Sequence, residues 1–262
     1  MSEYGTHLVP LLRRMNRLEQ LTLNVAVDTG ERLIDGNNIH QDILIYMPLL
    51  QSFIFHIQSS CDARTLGENF SNKDIEQTFI NIGYEQVACM THTITSFQMM
   101  CHVFSIPYAF DFLHMLGKNF GKMIFINVTR LILFEYVPFE YEFFFQLAQS
   151  FPSLRTLRIV NWESDRAQLK DDVQTNSFVE YPYLRRLDVS SAHIIYIEQL
   201  LHYSTTHLPR LIELRINYED LKIVTNDFTR DATRINCSKI KILECSGTIE
   251  HSDEFARYFP SL

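Results

Sequence analysis

Phe151-Pro152-Ser153-Leu154-Arg155-Thr156-Leu157-Arg158-Ile159 returns as Tyr181-Pro182-Tyr183-Leu184-Arg185-Arg186-Leu187-Asp188-Val189 and again as Leu208-Pro209-Arg210-Leu211-Ile212-Glu213-Leu214-Arg215-Ile216. Each copy is a bulky residue and a proline, then leucine, two residues, leucine, one residue and a final apolar residue. The last two apolar positions are two apart, so they share one face of a short strand. Weaker copies run over Met15 to Leu23, Met47 to Phe55, Phe125 to Leu133 and Cys237 to Cys245. A degraded copy rests on Ile94, Phe97 and Met99, and Phe259 to Leu262 is a half phrase. The leading apolar positions (Leu18, Leu50, Ile94, Val128, Leu154, Leu184, Leu211, Ile240 and Leu262) recur at steps of 22 to 44 residues, scattered around the length of a leucine-rich repeat.

Between phrases the apolar period lengthens toward that of a helix. Glu140 to Ser150, Ile194 to Tyr203, Ile39 to Tyr46 and Ser252 to Phe259 each read as one short amphipathic helix, and where a proline follows it ends the helix. Strand, helix, strand with every strand in one direction predicts an α/β solenoid: a curved parallel sheet inside, short helices outside, about eight irregular repeats. On this reading 1–262 is a single domain with an insertion at about 58–90, polar and holding one helix around Asp74 to Ile82.

The chain has 262 residues, of which 46% are hydrophobic and 21% charged, enough to bury a sizeable core and too apolar for disorder. A net charge of -8 argues against a general nucleic-acid binder and leaves only local basic patches. No run of about 18 apolar residues occurs and the first residues lack the pattern of a secretory signal, so an intracellular protein, cytoplasmic or nuclear and without a membrane partner, is expected. Five cysteines at irregular spacing then read as reduced, mostly buried thiols. The sequons at Asn69, Asn127 and Asn236 go unused in such a compartment.

The Pro-x-Leu-x-x-Leu-x-apolar phrase following a helix resembles leucine-rich-repeat proteins, and most of all the irregular repeats behind the F-box of F-box proteins. Leu208 to Leu211, Ile223 to Thr229 and Phe255 to Leu262 are similar to the C-terminal half of an expanded invertebrate family of F-box-domain-containing proteins. The resemblance covers nearly the whole chain. It implies the substrate-recognition part of an F-box subunit of a cullin-type (SCF) ubiquitin ligase, with the target held on the concave face. An F-box is missing here, so a Skp1-like adaptor and a cullin are expected as partners only of a longer form. The sequence also departs from the common repeat in its turns: where many such repeats place asparagine, Ala26, Gln58, Tyr136, Trp162, Ala192, Glu219 and Thr248 stand.

In a solenoid of this kind the residues flanking the second leucine project from the open face. Across neighbouring strands they include Arg130, Ile132, Phe134, Arg158, Arg186, Asp188 and Arg215, four arginines beside an exposed apolar pair, the composition of a protein-binding site. The alternative is that these arginines pair with neighbouring acids such as Asp188 and Glu213 on a solvated face. Trp162 reads as a packed turn residue. Cys89, His92, Cys101 and His102 are the nearest approach to a zinc constellation, but adjacent Cys101 and His102 point to opposite faces of a strand, so no metal is expected. Gly117 to Lys122 lacks the spacing and the Ser or Thr of a phosphate loop. Asp171-Asp172 and Glu219-Asp220 read as solvated loop charges, and Phe143-Phe144-Phe145 as the buried side of a helix. No catalytic residue and no cofactor are expected; a stand-alone repeat scaffold without a ligase role is the alternative function.

Overall fold

The computed structural model describes residues 4–30, 32–66, 70–118, 120–135, 141–161, 178–250 and 252–262. The chain divides into two compact units, Met1–Phe110 and Asp111–Leu262.

In the first unit, α1 (Val9–Arg13) leads into β1 (Gln20–Gly30), and α2 (Gly36–Asp42) with a 3-10 turn at Leu44–Tyr46 leads into β2 (Ser52–Asp62). The two strands are parallel, with Leu21 opposite Phe53 and Leu23 opposite Phe55, so two weak phrases lie in register. Helix α2 begins earlier than its apolar period indicates because Asp35 caps it: its carboxylate accepts from Asn38 N at 2.8 Å while the Asn38 side chain accepts from Asp35 N. Gly36 lets this helix touch α3 (Asn72–Ile80); a Cβ there would lie 2.5 Å from the carbonyl of Thr78. Helix α3, capped by Ser71 and Asp74, is the one expected inside the insertion.

The uniform strand direction fails beyond β2. There β3 (Val87–Thr95) and β4 (Gln98–Ser105) form a hairpin, both pairings of β4 are antiparallel, and the sheet order is β1-β2-β4-β3. Two residues separate the hairpin strands, too few for the crossover that a parallel return requires. The degraded phrase is therefore two arms of one hairpin: Ile94 is buried, while Phe97 sits at the tip, 57% exposed. Nor is the expected insertion wholly a polar loop, since β2 runs through Gln58, Ser59 and Ser60, all buried. The two serine hydroxyls are satisfied: Ser59 Oγ accepts from Ile34 N, and Ser60 Oγ donates to Asp28. Leu23, Ile39, Phe55, Ile57, Phe79 and Val103 form the centre of this unit's core.

The second unit contains β5 (Phe112–Leu116), β6 (Arg130–Glu135), β7 (Thr156–Asn161), β8 (Val179–Glu180), β9 (Arg186–Ser191), β10 (Thr206–His207), β11 (Glu213–Asn217) and β12 (Ile242–Ser246). All but the β8–β10 pair join one six-stranded parallel sheet in the order β12-β11-β9-β7-β6-β5. The second leucines of five phrases, Leu131, Leu157, Leu187, Leu214 and Leu243, stand opposite one another in a single row. The first four are buried, as are the leading anchors Val128, Leu154, Leu184, Leu211 and Ile240, each side chain stabilising the fold by about 1.5–3 kcal/mol.

Helices α4 (Tyr141–Ser150), α5 (Ile194–Leu201) and α8 (Asp253–Tyr258) lie where the apolar period places them. Phe143 and Phe144 are buried in α4, whereas Phe145 is exposed. Helices α6 (Tyr218–Thr225) and α7 (Asp231–Cys237) are additional. Glu219 and Asp220 thus belong to the first turn of α6 and not to a loop; Asn217 accepts from both of their backbone N–H groups, and their charge suits the positive end of the helix. The described residues form a mixed α/β protein with eight α-helices and a six-stranded parallel sheet.

Candidate functional site

On the strands of the second unit, residues alternate between the buried leucine row and the face away from it. Two rows cross that open face. Arg130, Thr156, Arg186, Glu213 and Ile242 form one, and Ile132, Arg158, Asp188, Arg215 and Glu244 the next, so that charge alternates in sign along the second row.

Alternation becomes pairing. Asp188 Oδ2 lies 3.4 Å from Arg158 Nε and 4.0 Å from Arg215 Nη1, and Arg215 Nε reaches Glu244 at 3.7 Å. Arg186 Nε meets Glu213 at 2.6 Å. Arg130 Nη2 contacts both carboxylate oxygens of Asp111 at 3.1 and 3.2 Å while its guanidinium covers the Phe112 ring at 5.1 Å. Each of the four arginines therefore has an acid, as the alternative reading of this face requires. Asp188 is the buried member, 8% exposed, and also accepts from the backbone and hydroxyl of Ser190.

The pairs between exposed groups do little for stability, at most about 1 kcal/mol each, and only those of buried Asp188 carry more. What they do is hold planar forks in fixed orientation on a rigid sheet. The four arginine side chains stay about half exposed, and at Arg158 and Arg186 the acid meets the guanidinium at Nε. The face therefore presents donors interleaved with acceptors.

The exposed apolar pair requires correction. Ile132 is half-buried, and Phe134, opposite Val160, is buried at 6% exposure. A ring of that area gains more from burial than it would standing on a wet sheet face. The site is thus more polar than the sequence indicates. Trp162 and Asp171-Asp172 lie outside the described residues.

The thiols and imidazoles of the first unit enter two separate contacts. Cys89 Sγ and Cys101 Sγ, both free thiols, are 3.4 Å apart within the core, and there the Cys101 thiol is pushed well up by its hydrogen bond with Cys89 and by burial. The histidines join a polar row that sequence spacing does not reveal: Asn24 on β1, His56 on β2, His102 on β4 and His92 on β3, one residue from each strand of the sheet. His56 Nδ1 lies 3.0 Å from Asn24 Oδ1 and 3.1 Å from the Tyr108 hydroxyl, and Nε2 lies 3.1 Å from His102 Nδ1. Because Asn24 Oδ1 can only accept, His56 carries its proton on Nδ1, and Nε2 accepts from His102.

The His56 and His102 planes differ by only 10° at a centroid separation of 5.4 Å, so these rings meet edge to edge. A zinc ion needs about 2.0–2.1 Å to each nitrogen, and a 3.1 Å gap along the line of the two lone pairs cannot hold one. Among the described residues no group of three or more His, Cys, Asp or Glu side chains is placed to hold a metal. Burial pushes both His56 and His92 down to about 4, and His92 Nε2 is buried without a hydrogen-bond partner.

A half-open pocket of about 330 Å³ lies against α7 and α8, lined by residues that include Phe228, Arg234 and Arg257. Its arginines are taken up by Asp231 and Glu254, so it gathers no uncompensated titratable group. No protein-family model matches this chain, and no curated protein or solved structure matches it either.

Proposed function

We propose that this chain is a non-enzymatic protein-recognition module, an irregular leucine-rich-repeat array that holds a protein partner on the open face of its six-stranded sheet. The observation that carries the array reading is the single row made by the second leucine of five phrases, because a unit that buries its apolar face only against its neighbours is what a repeat array is built from. The ordered arginine forks support the binding reading, since planar donors held in advance lose little entropy on association. By resemblance the partner is a target presented for ubiquitin transfer, the array acting as the receptor part of an F-box subunit. The module works inside the cell, takes no cofactor, and engages neither membrane nor nucleic acid through this face.

Capture with the full chain from lysate of its source, read by mass spectrometry, tests the assignment. Enrichment of a cullin and its adaptor is expected from a ligase receptor; their absence beside another enriched protein would replace that role with a stand-alone scaffold. The face is tested separately by replacing Arg158 and Arg186 together with glutamine. Glutamate would set new carboxylates beside Asp188 and Glu213 and disturb the fold. The glutamine pair should weaken capture of the enriched protein about tenfold or more while the circular dichroism spectrum is unchanged. Undiminished capture would place the binding face elsewhere.

A further inference from the structure

One residue before β7, β9, β11 and β12, beyond Asp111 and Thr129 at the corresponding positions of β5 and β6, the chain treats its cations differently. Backbone bonds run Arg155 N to Thr129 O at 2.8 Å, Arg185 N to Arg155 O at 2.8 Å, Ile212 N to Arg185 O at 3.0 Å and Lys241 N to Ile212 O at 2.8 Å. These positions therefore form a further row across the sheet, along the edge where its strands begin. Two residues earlier the phrases place Ser153, Tyr183, Arg210 and Lys239, and the Arg210 guanidinium lies 5.1 Å over the Tyr183 ring, which puts consecutive phrases side by side there too.

The four segments 151–155, 181–185, 208–212 and 237–241 carry Arg155, Arg185, Arg210, Lys239 and Lys241 and no acidic residue, in a protein of net charge -8. None of these five cations forms an ion pair with a described carboxylate; Lys239 Nζ donates only to the Pro209 carbonyl, at 3.2 Å. One to three residues further along the strands, Arg158, Arg186 and Arg215 each have an acid. Arg155 and Arg185 stand as direct neighbours with like charge, an arrangement that costs stability on a sheet. Among the described residues the fold pairs one set of arginines with acids and not the other.

We infer that this strand-leading edge is a second docking surface, for a short extended acidic segment of a partner protein. Charge complementarity fixes the sign. Length follows from the row: Arg155 to Lys241 spans three strand spacings of about 4.8 Å, or roughly 14 Å, the reach of four or five extended residues. A short segment fits better than a polyanion, because at physiological ionic strength the field is screened over about 8 Å, so the local cations govern a small ligand while a long nucleic acid also meets the acidic remainder of the surface. Tyr183, 46% exposed beneath Arg210, supplies one flat apolar contact beside the charges. This surface is distinct from the open face, and it stands or falls independently of the function proposed above.

The test is fluorescence anisotropy of the full chain with a fluorescein-labelled peptide of six glutamates. A glutamine peptide of equal length and a single-stranded DNA hexamer serve as comparisons. Binding of the glutamate peptide that weakens on going from low salt to 0.5 M, with little binding of the other two probes, is expected. The variant R155Q/R185Q/K241Q should weaken it at least tenfold while R158Q/R186Q leaves it within twofold. Should the triple variant lose its circular dichroism spectrum, R210Q/K239Q is read in its place and should weaken binding at least threefold. No binding of the glutamate peptide, equal binding by the DNA, or indifference to the edge variants overturns the inference.

Discussion

Asp188 joins the ladder of charges to the fold beneath it. It stands between Arg158 and Arg215 in register, is largely withdrawn from water, and accepts twice from Ser190. Asparagine in its place keeps the shape and an acceptor but leaves two guanidinium groups flanking a neutral side chain. Asp188→Asn is therefore expected to lower stability by about 1–3 kcal/mol in urea titration, the cost of stripping a part-buried acid from its charged partners. Removing one arginine as well should relieve part of that loss, so the double variant D188N/R215Q should lie above the sum of the single effects. Strict additivity would mean that Asp188 acts through Ser190 alone and that the ladder is decorative.

Among the elements, the strands that recur are legible in the sequence, as is the capped helix α3, while the hairpin that occurs once is not. The proline-led phrases locate β7, β9 and β11, and even the weaker copies yield β1, β2, β6 and β12, because a row of leucines two residues from the next apolar position leaves one geometry open. In the sequence the hairpin of β3 and β4 has the look of a damaged repeat. Its alternation mimics the end of a phrase, and direction depends on the length of the connection rather than on the residues within either strand. The arginines of the open face were found by parity alone, but Phe134 was not, because parity assigns a side of the sheet and not what covers that side. The contact of α2 with α3 was hidden in the same way, in one glycine with no local signature. Gly36→Ala would set a methyl group 2.5 Å from backbone atoms of Thr78, which cannot move without unwinding α3. A loss of roughly 3 kcal/mol or more is expected, seen as a fall in the denaturation midpoint, where alanine in an open helix would stabilise. An unchanged midpoint would show that the two helices are not in contact at this point.

At the scale of the whole molecule the chain divides into two compact units with different sheets. The first carries the row of buried imidazoles, and this gives the protein an acid response of its own. His56 and His92 are held down to about 4 by burial, against about 6.5 in the unfolded chain, so between these values the unfolded state binds more protons and stability rises with pH. Stability contributed by the neutral rings is complete above pH 6.5 and is lost as pH falls toward 4, by roughly 3 kcal/mol for each imidazole. The same window contains the sequence isoelectric point of about 5.7, where net charge no longer keeps molecules apart. Urea midpoints taken from pH 7.5 to 4.5 should fall steeply, with light scattering rising near pH 5.7, whereas H56N/H92N, though less stable at pH 7.5, should show a much shallower fall over that range, what is left coming from His114 and His202, which burial also lowers. Salt-bridged carboxylates such as Asp62, held at about 2, protonate only at lower pH and cannot produce this fall. A wild-type midpoint constant down to pH 4.5 would mean that the histidine row stays solvated enough to accept protons without opening the sheet.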